Sequence, residues 1–170
     1  MGKNKLSIFI RHIRNFLGKY MTTSFNSNAV TYPTISNLEY EPTVGCRIIE
    51  CQFAGTSIEL WDTSGNMGNR SGWLAIKENI DGIIMVYDAK VNTSSQEDDL
   101  LTWYNEFCKT VPEDRLLILA HTTSGDPTET FESTKTAHCF TTNIVHHTSF
   151  SRTNELLLQV EKFFQSILLG

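Results

Sequence analysis

One hundred and seventy residues, 40% of them hydrophobic, suit a single domain spanning 1–170 with a sizeable core, and no apolar run reaches the roughly 18 residues that a membrane-crossing helix needs. The net charge of −5 is uneven: residues 1–20 carry Lys3, Lys5, Arg11, Arg14 and Lys19 and no acid, a charge of +5, which leaves nine basic and nineteen acidic groups, −10, on the other 150 residues. So acidic a body is a poor partner for nucleic acid.

In residues 4–20 the apolar positions Leu6, Phe9, Ile10, Ile13, Phe16, Leu17 and Tyr20 recur every three or four residues, with mostly basic residues between them. That pattern predicts a basic amphipathic helix, 1–20 being atypical as the start of a domain. Such a helix binds a membrane surface or, the preferred reading, packs its apolar face on the domain. Met1-Gly2 invites N-myristoylation, but the motif needs Ser or Thr at position 6, where Leu6 stands. Residues 21–40 are rich in Thr, Ser and Asn and broken by Pro33, which predicts a polar loop reaching to about residue 45.

Cys46 to Phe53 and Thr56 to Asp62 read as two strands joined by the tight turn Ala54-Gly55, the first with one less apolar face, as suits a sheet edge. The second strand ends at Asp62, and Thr63-Ser64-Gly65 turns the chain. A carboxylate at a strand end with glycine three residues later is one way that α/β proteins hold Mg²⁺ and let bare backbone approach a phosphate. Taken alone, the same pattern fits an ordinary strand-to-turn junction. A helical stretch at Trp73 to Asn79 precedes Gly82 to Tyr87, apolar enough for a strand buried on both faces. Beyond it, strand and helix alternate. Gln96 to Lys109 is a helix with Leu100, Trp103, Tyr104 and Phe107 on one face. Leu116 to His121 is a strand, Thr130 to Ala137 a weak helix, and Asn143 to Thr148 a short strand. Arg152 to Leu169 is an amphipathic helix with Leu156, Leu157, Val160, Phe163, Phe164 and Ile167 inward. This alternation predicts a mostly parallel sheet with helices on both faces and one antiparallel edge hairpin, its ligands at the carboxyl ends of the strands.

The four cysteines, at 46, 51, 108 and 139, have no C-x-x-C spacing and read as reduced thiols; a zinc site would lack paired ligands. His121, His146 and His147 have no nucleophile at a suitable spacing, so they read as strand or surface histidines rather than a catalytic cluster.

The run Glu59-Leu60-Trp61-Asp62-Thr63-Ser64-Gly65, followed by Trp73 to Ala89, resembles switch II and the fourth strand of a Rab-like small GTPase. Glu39 to Thr43, Gly45 to Glu50, Leu101 to Phe107 and Leu116 to His121 narrow the resemblance to the intraflagellar transport protein 22 (Rab-like protein 5) family, from about Leu38 to the C-terminus. Its most specific pieces are Trp103-Tyr104 and the Ala120-His121 ending of the fifth strand. The resemblance implies a three-layer P-loop small-GTPase-like α/β fold, with residues 21–45 as the switch I-like loop. It implies GTP or GDP and Mg²⁺ as cofactors. Thr43 would close over Mg²⁺ and the last phosphate, Asp62 would reach Mg²⁺ through water, the Gly65 backbone would contact phosphate, and Asp126 would accept from the guanine edge or merely turn its loop.

The chain departs from that pattern in three places. The phosphate loop G-x-x-x-x-G-K-[ST] is missing under either of two alignments. With Gly18-Lys19 as its end, Ile13 replaces the first glycine and Tyr20 the Ser or Thr. With Asn15-Phe16-Leu17 matched to the family's first helix, the preferred alignment, Ile10 sits at the lysine and Phe9 at the glycine before it. The N-terminus is then either genuinely divergent or alternatively spliced, or it stems from a wrong first exon. Asn66 stands where a glutamine orients the attacking water, which predicts slow hydrolysis. His121-Thr122-Thr123-Ser124-Gly125-Asp126 lacks the lysine of the guanine motif. These departures predict weak nucleotide binding at most. They favour a non-catalytic or weakly catalytic Rab-like subunit of intraflagellar transport complex B, in the cytoplasm, cilium and ciliary base, docked on the coiled coil of intraflagellar transport proteins 74 and 81. The alternative is a working GTP-binding and GTP-hydrolysing switch. Residues 1–20 are expected outside the sheet as a helix, leaving a marginally stable domain that its partners stabilise; the alternative forces Lys5 to Ile10 into the central strand against its helical pattern.

Overall fold

The computed structural model describes residues 5–11, 44–64, 66–77, 80–89, 94–122, 140, 143–149 and 152–170. They fall into two units, Met1–Gly82 and Ile83–Gly170.

In the first unit β1 (Lys5–Arg11), β2 (Cys46–Phe53) and β3 (Thr56–Thr63) form a sheet in the order β2-β3-β1. β2 and β3 are the antiparallel hairpin read from the sequence. Ala54 at φ 50° and Gly55 at φ 79° make its turn. Two consecutive positive φ values give the backbone a twist that matches its flanking strands. Glycine accepts that conformation freely, whereas Ala54 bears some strain. β3 buries Ile58, Leu60 and Asp62 and leaves the alternate residues Ser57, Glu59 and Trp61 half-buried, the period of two expected of a strand. β2 is largely exposed apart from Cys51, as fits an edge.

β1 corrects the reading of residues 4–20 as one helix. Lys5–Arg11 is a strand parallel to β3, in register from Lys5 opposite Ser57 to Arg11 opposite Thr63. One side of β3 bonds to β2, and the other side also needs backbone partners. Each buried N–H or C=O left unmet costs roughly 1–3 kcal/mol, which outweighs helix-propensity differences of at most about 1 kcal/mol per residue. The same strand overturns the preferred loop alignment. Ile10 lies inside β1 opposite Asp62, so it does not stand at a phosphate-binding lysine.

After β3 the chain passes through a 3₁₀ turn, Met67–Gly72, into the short helix α1 (Trp73–Lys77), whose Trp73 is buried. In the second unit β5 (Leu116–Thr122) runs parallel to both β4 (Gly82–Asp88) and β6 (Val145–Ser149). β4 is buried from Gly82 to Tyr87, and the Ala89 N–H donates to the His121 carbonyl at 2.9 Å. α2 (Ser94–Trp103) does not continue as α-helix to Lys109. It widens into a π turn, Tyr104–Cys108, closed by the Lys109 N–H on the Tyr104 carbonyl at 3.0 Å. Both Phe107 and Cys108 are buried there, and Phe107 stacks on Trp103 at 5.1 Å. Phe140 is fully buried between Tyr87 (5.2 Å) and the edge of Tyr104 (5.6 Å). α3 (Thr153–Leu169) buries the six residues read as its inward face, Leu156, Leu157, Val160, Phe163, Phe164 and Ile167. The expected weak helix at Thr130 to Ala137 and the loop at 21–43 lie outside the described residues. Among the described residues no helix is long and apolar enough to cross a membrane.

Candidate functional site

Asp62 is the one sequence-assigned site residue within the described part of the chain; Thr43, Gly65 and Asp126 lie outside it. β1 and β3 run parallel, so Arg11, Asp62 and Thr63 sit together at the carboxyl ends of two neighbouring strands. In an open α/β sheet ligands bind at that end. β2 runs the other way, and its first residues therefore return to the same place. Cys46 lies opposite Thr63, and Arg47 lies opposite Asp62.

Arg47 Nη2 donates to Asp62 Oδ2 at 2.6 Å. The carboxylate is buried, with 5% of the side chain exposed, whereas 44% of the arginine side chain is exposed. This is a short, charge-assisted bond between directly opposed residues of an antiparallel pair. Reading the sequence missed Arg47, although the signal was present. A two-residue turn at Ala54-Gly55 pairs Phe53 with Thr56 and, counting outward, Arg47 with Asp62. The carboxylate also acts on its neighbour. Cys46 is an exposed residue, yet partial burial of its thiol and then the negative charge of Asp62 raise its pKa above the usual thiol value. Cys51, on the buried face, is pushed up to about 11 by burial alone. Cys46, Cys51 and Cys108 are free thiols.

The chain beyond Asp62 is pinned by short polar contacts. The Ser64 N–H donates to the Gly45 carbonyl at 2.7 Å, which ties the segment after β3 to the segment before β2. Ser64 Oγ accepts from the Asn66 N–H at 3.2 Å. The Asn66 side-chain oxygen accepts from the Gly68 N–H at 2.8 Å and caps the Met67–Gly72 turn. A capping asparagine directs its carbonyl into its own turn, so this amide is occupied by the backbone.

In the second unit His121 and Thr148 close the carboxyl ends of β5 and β6. His121 Nδ1 and Thr148 Oγ1 are 2.9 Å apart and both residues are buried. His121 is thus a packed strand histidine, as read. At the amino ends of the same strands a cleft of about 380 Å³ is lined by Asp114, Asn143, His146, Lys162 and Phe163 among others. His146 there has its pKa lowered, first by burial and then by the charges of Lys162 and His147.

The described residues do not by themselves assemble a divalent-cation site. No group of three or more His, Cys, Asp or Glu comes together among them. The one acid in position already holds a guanidinium against Oδ2. Arg47, half-exposed, is a positive charge fixed at this end of the sheet.

No protein-family model matches the chain. Among curated relatives, intraflagellar transport protein 22 of Trypanosoma brucei brucei is 32% identical over 105 residues, 53% of this chain and 46% of the relative. The Xenopus tropicalis homolog is 31% identical over 120 residues, 66% of this chain and 62% of its own length. The chain thus spans about half the length of these curated relatives. The GTP-bound crystal structure of T. brucei IFT22/74/81 matches with a TM-score of 0.64 and 26% identity, over 97% of this chain and 98% of the other. That likeness bears out a small-GTPase-like α/β fold. With the parallel β1–β3 pairing, the edge hairpin and Asp62 at its strand end, the chain is similar in sequence and fold to the intraflagellar transport protein 22 (Rab-like protein 5) family of Rab-like small GTPases.

Proposed function

We propose that this chain is the Rab-like subunit of intraflagellar transport complex B, acting in the cytoplasm, cilium and ciliary base. In this reading residues 1–170 work as one domain that docks on the coiled coil of intraflagellar transport proteins 74 and 81. The likeness over 97% of the chain to a relative crystallised with 74 and 81 carries this reading. The same relative was GTP-bound, which supports a guanine nucleotide here as well. Once Ile10 is placed in β1, the alignment ending at Gly18-Lys19 remains, and in it Ile13 still replaces the first glycine and Tyr20 the Ser or Thr, so the phosphate loop stays degenerate. By the family resemblance Asp62 and the Gly65 backbone would serve the phosphate end, Thr43 would close over the last phosphate, and Asp126 would accept from the guanine edge or turn its loop.

Hydrolysis is slow in this reading. Turnover requires a side chain that holds the attacking water in line, and Asn66 spends its amide oxygen on the Gly68 N–H. The nucleotide accordingly acts as a structural ligand that holds the fold for docking.

The test combines the full chain with the purified 74/81 pair in size-exclusion chromatography and thermal melting. Co-elution and a melting temperature that rises with partner concentration are expected, since a partner that binds only the folded state stabilises it by mass action. Separate elution with an unchanged melting temperature would refute docking. In single-turnover assays the wild-type chain should hydrolyse GTP slowly; rapid hydrolysis that survives Asn66→Ala would show that another group positions the water.

A further inference from the structure

We propose that Arg47 is a built-in cation at the phosphate end of the site: it takes the place of a divalent ion against Asp62 and offers its free donors to a nucleotide phosphate, so that nucleotide binds without Mg²⁺. The proposal rests on the nucleotide reading above and adds which positive charge meets the phosphates.

Placement comes first. The hairpin register sets Arg47 opposite Asp62, and the parallel β1–β3 pairing sets both at the carboxyl end of the sheet. Both strands of the hairpin are tied together just beyond the pair, where the Ser64 N–H meets the Gly45 carbonyl at 2.7 Å. The pair therefore stands on a fixed platform.

Occupancy follows. A water-mediated Mg²⁺ contact to Asp62 needs the carboxylate to face the ion. Here Oδ2 holds Arg47 Nη2 at 2.6 Å, and Oδ1 is buried. A divalent ion entering this place would have to break a charge-assisted bond or sit beside a fixed positive charge. Arginine does not deprotonate to relieve that repulsion.

Donor supply completes the argument. A guanidinium carries five N–H donors in a rigid plane, and the 2.6 Å bond uses one nitrogen. The arginine side chain is 44% exposed while its acid is 5% exposed, so the acid serves as a buried anchor and the arginine keeps an open edge. An arginine held by a buried carboxylate is already oriented, which lowers the entropy lost when a phosphate oxygen binds. Its single positive charge is smaller than that of Mg²⁺ but is never lost to chelation.

The experiment titrates the full wild-type chain with a fluorescent GTP analogue, once with millimolar Mg²⁺ and once with EDTA. The affinity is expected to agree within about twofold, whereas Arg47→Met should lose about tenfold in EDTA, the weight of one charge-assisted contact. Arg47→Met should recover part of that loss in Mg²⁺, because the positive charge that repels the ion is then gone, and Arg47→Met with Asp62→Asn should recover none. A second measurement needs no nucleotide: Mn²⁺ binding, followed by electron paramagnetic resonance, should be absent in the wild type. Wild-type affinity that falls tenfold or more in EDTA, or Mn²⁺ bound by the wild type at Asp62, overturns the proposal. Failure to bind the analogue in either buffer, with the Mn²⁺ pattern as expected, refutes the nucleotide reading and the phosphate role of Arg47 with it, while Mn²⁺ binding by the wild type sinks the cation replacement alone.

Discussion

Arg47 and Asp62 show how one short contact orders several properties of its neighbours. Arg47→Met would strand a buried carboxylate, and such losses run to several kcal/mol in a closed interior. Arg47 is nearly half exposed, so solvent screens the pair and the expected loss of stability in urea unfolding is about 1–3 kcal/mol. Adding Asp62→Asn to that variant should restore much of it, because the amide leaves no unpaired charge; additive losses in the double variant would show that the two side chains do not interact. Cys46 reports the same carboxylate from the other side. Its thiol pKa is raised by burial and by Asp62, and the thiolate is the reactive form. Asp62→Asn should therefore speed alkylation of Cys46 at neutral pH and shift its rate–pH curve downward, with Cys51 slow in both proteins. An unchanged curve would mean that the carboxylate does not reach the thiol.

Among the elements, β6 and α3 meet around His146 and Lys162, which line one cleft. The imidazole is half-buried and its pKa is lowered, so it stays neutral in the folded chain at a pH where the unfolded chain takes up a proton. The sign follows by linkage: below the unfolded value of about 6.5 the unfolded state binds more protons, so stability is present above that pH and declines as the pH falls through it. Melting temperature should fall from pH of about 7.5 to about 5.5, and the fall should be smaller in His146→Gln and in Lys162→Gln. Identical pH slopes in all three proteins would assign the effect to other groups. The neighbouring helix α2 carries a different lesson. Its apolar spacing was legible as a helix, but the change to a π turn at Tyr104–Cys108 was not. Helical periodicity counts residues per turn only approximately, whereas burial of both Phe107 and Cys108 was decided by what packs against them.

Across the whole chain, β1 is the element with most at stake. Backbone amides of Lys5 to Arg11 should resist hydrogen exchange like those of β3, their parallel partner. Exchange at the rate of an unstructured peptide would show that β1 does not form in solution.

Much of the architecture follows from the sequence alone. The hairpin with its Ala54-Gly55 turn, the buried β4, the strands β5 and β6 and the six inward residues of α3 all stand where apolar periodicity and turn residues put them. These signals are local: a side chain's face depends on its own strand or helix, and a two-residue turn sets its register. Asp62 at a strand end was legible for the same reason. Two things were decided only by the tertiary structure. Residues Lys5–Arg11 read as a helix by themselves and became a strand because β3 had a second edge to satisfy. Asp62 was legible as a strand-end acid, but its partner was missed: the returning strand β2 brings the Arg47 guanidinium within 2.6 Å of it. For β1 the deciding edge lies far along the chain, outside any window of local sequence, whereas the Arg47–Asp62 pairing lay within the hairpin's own count and only its closeness and burial needed the folded sheet.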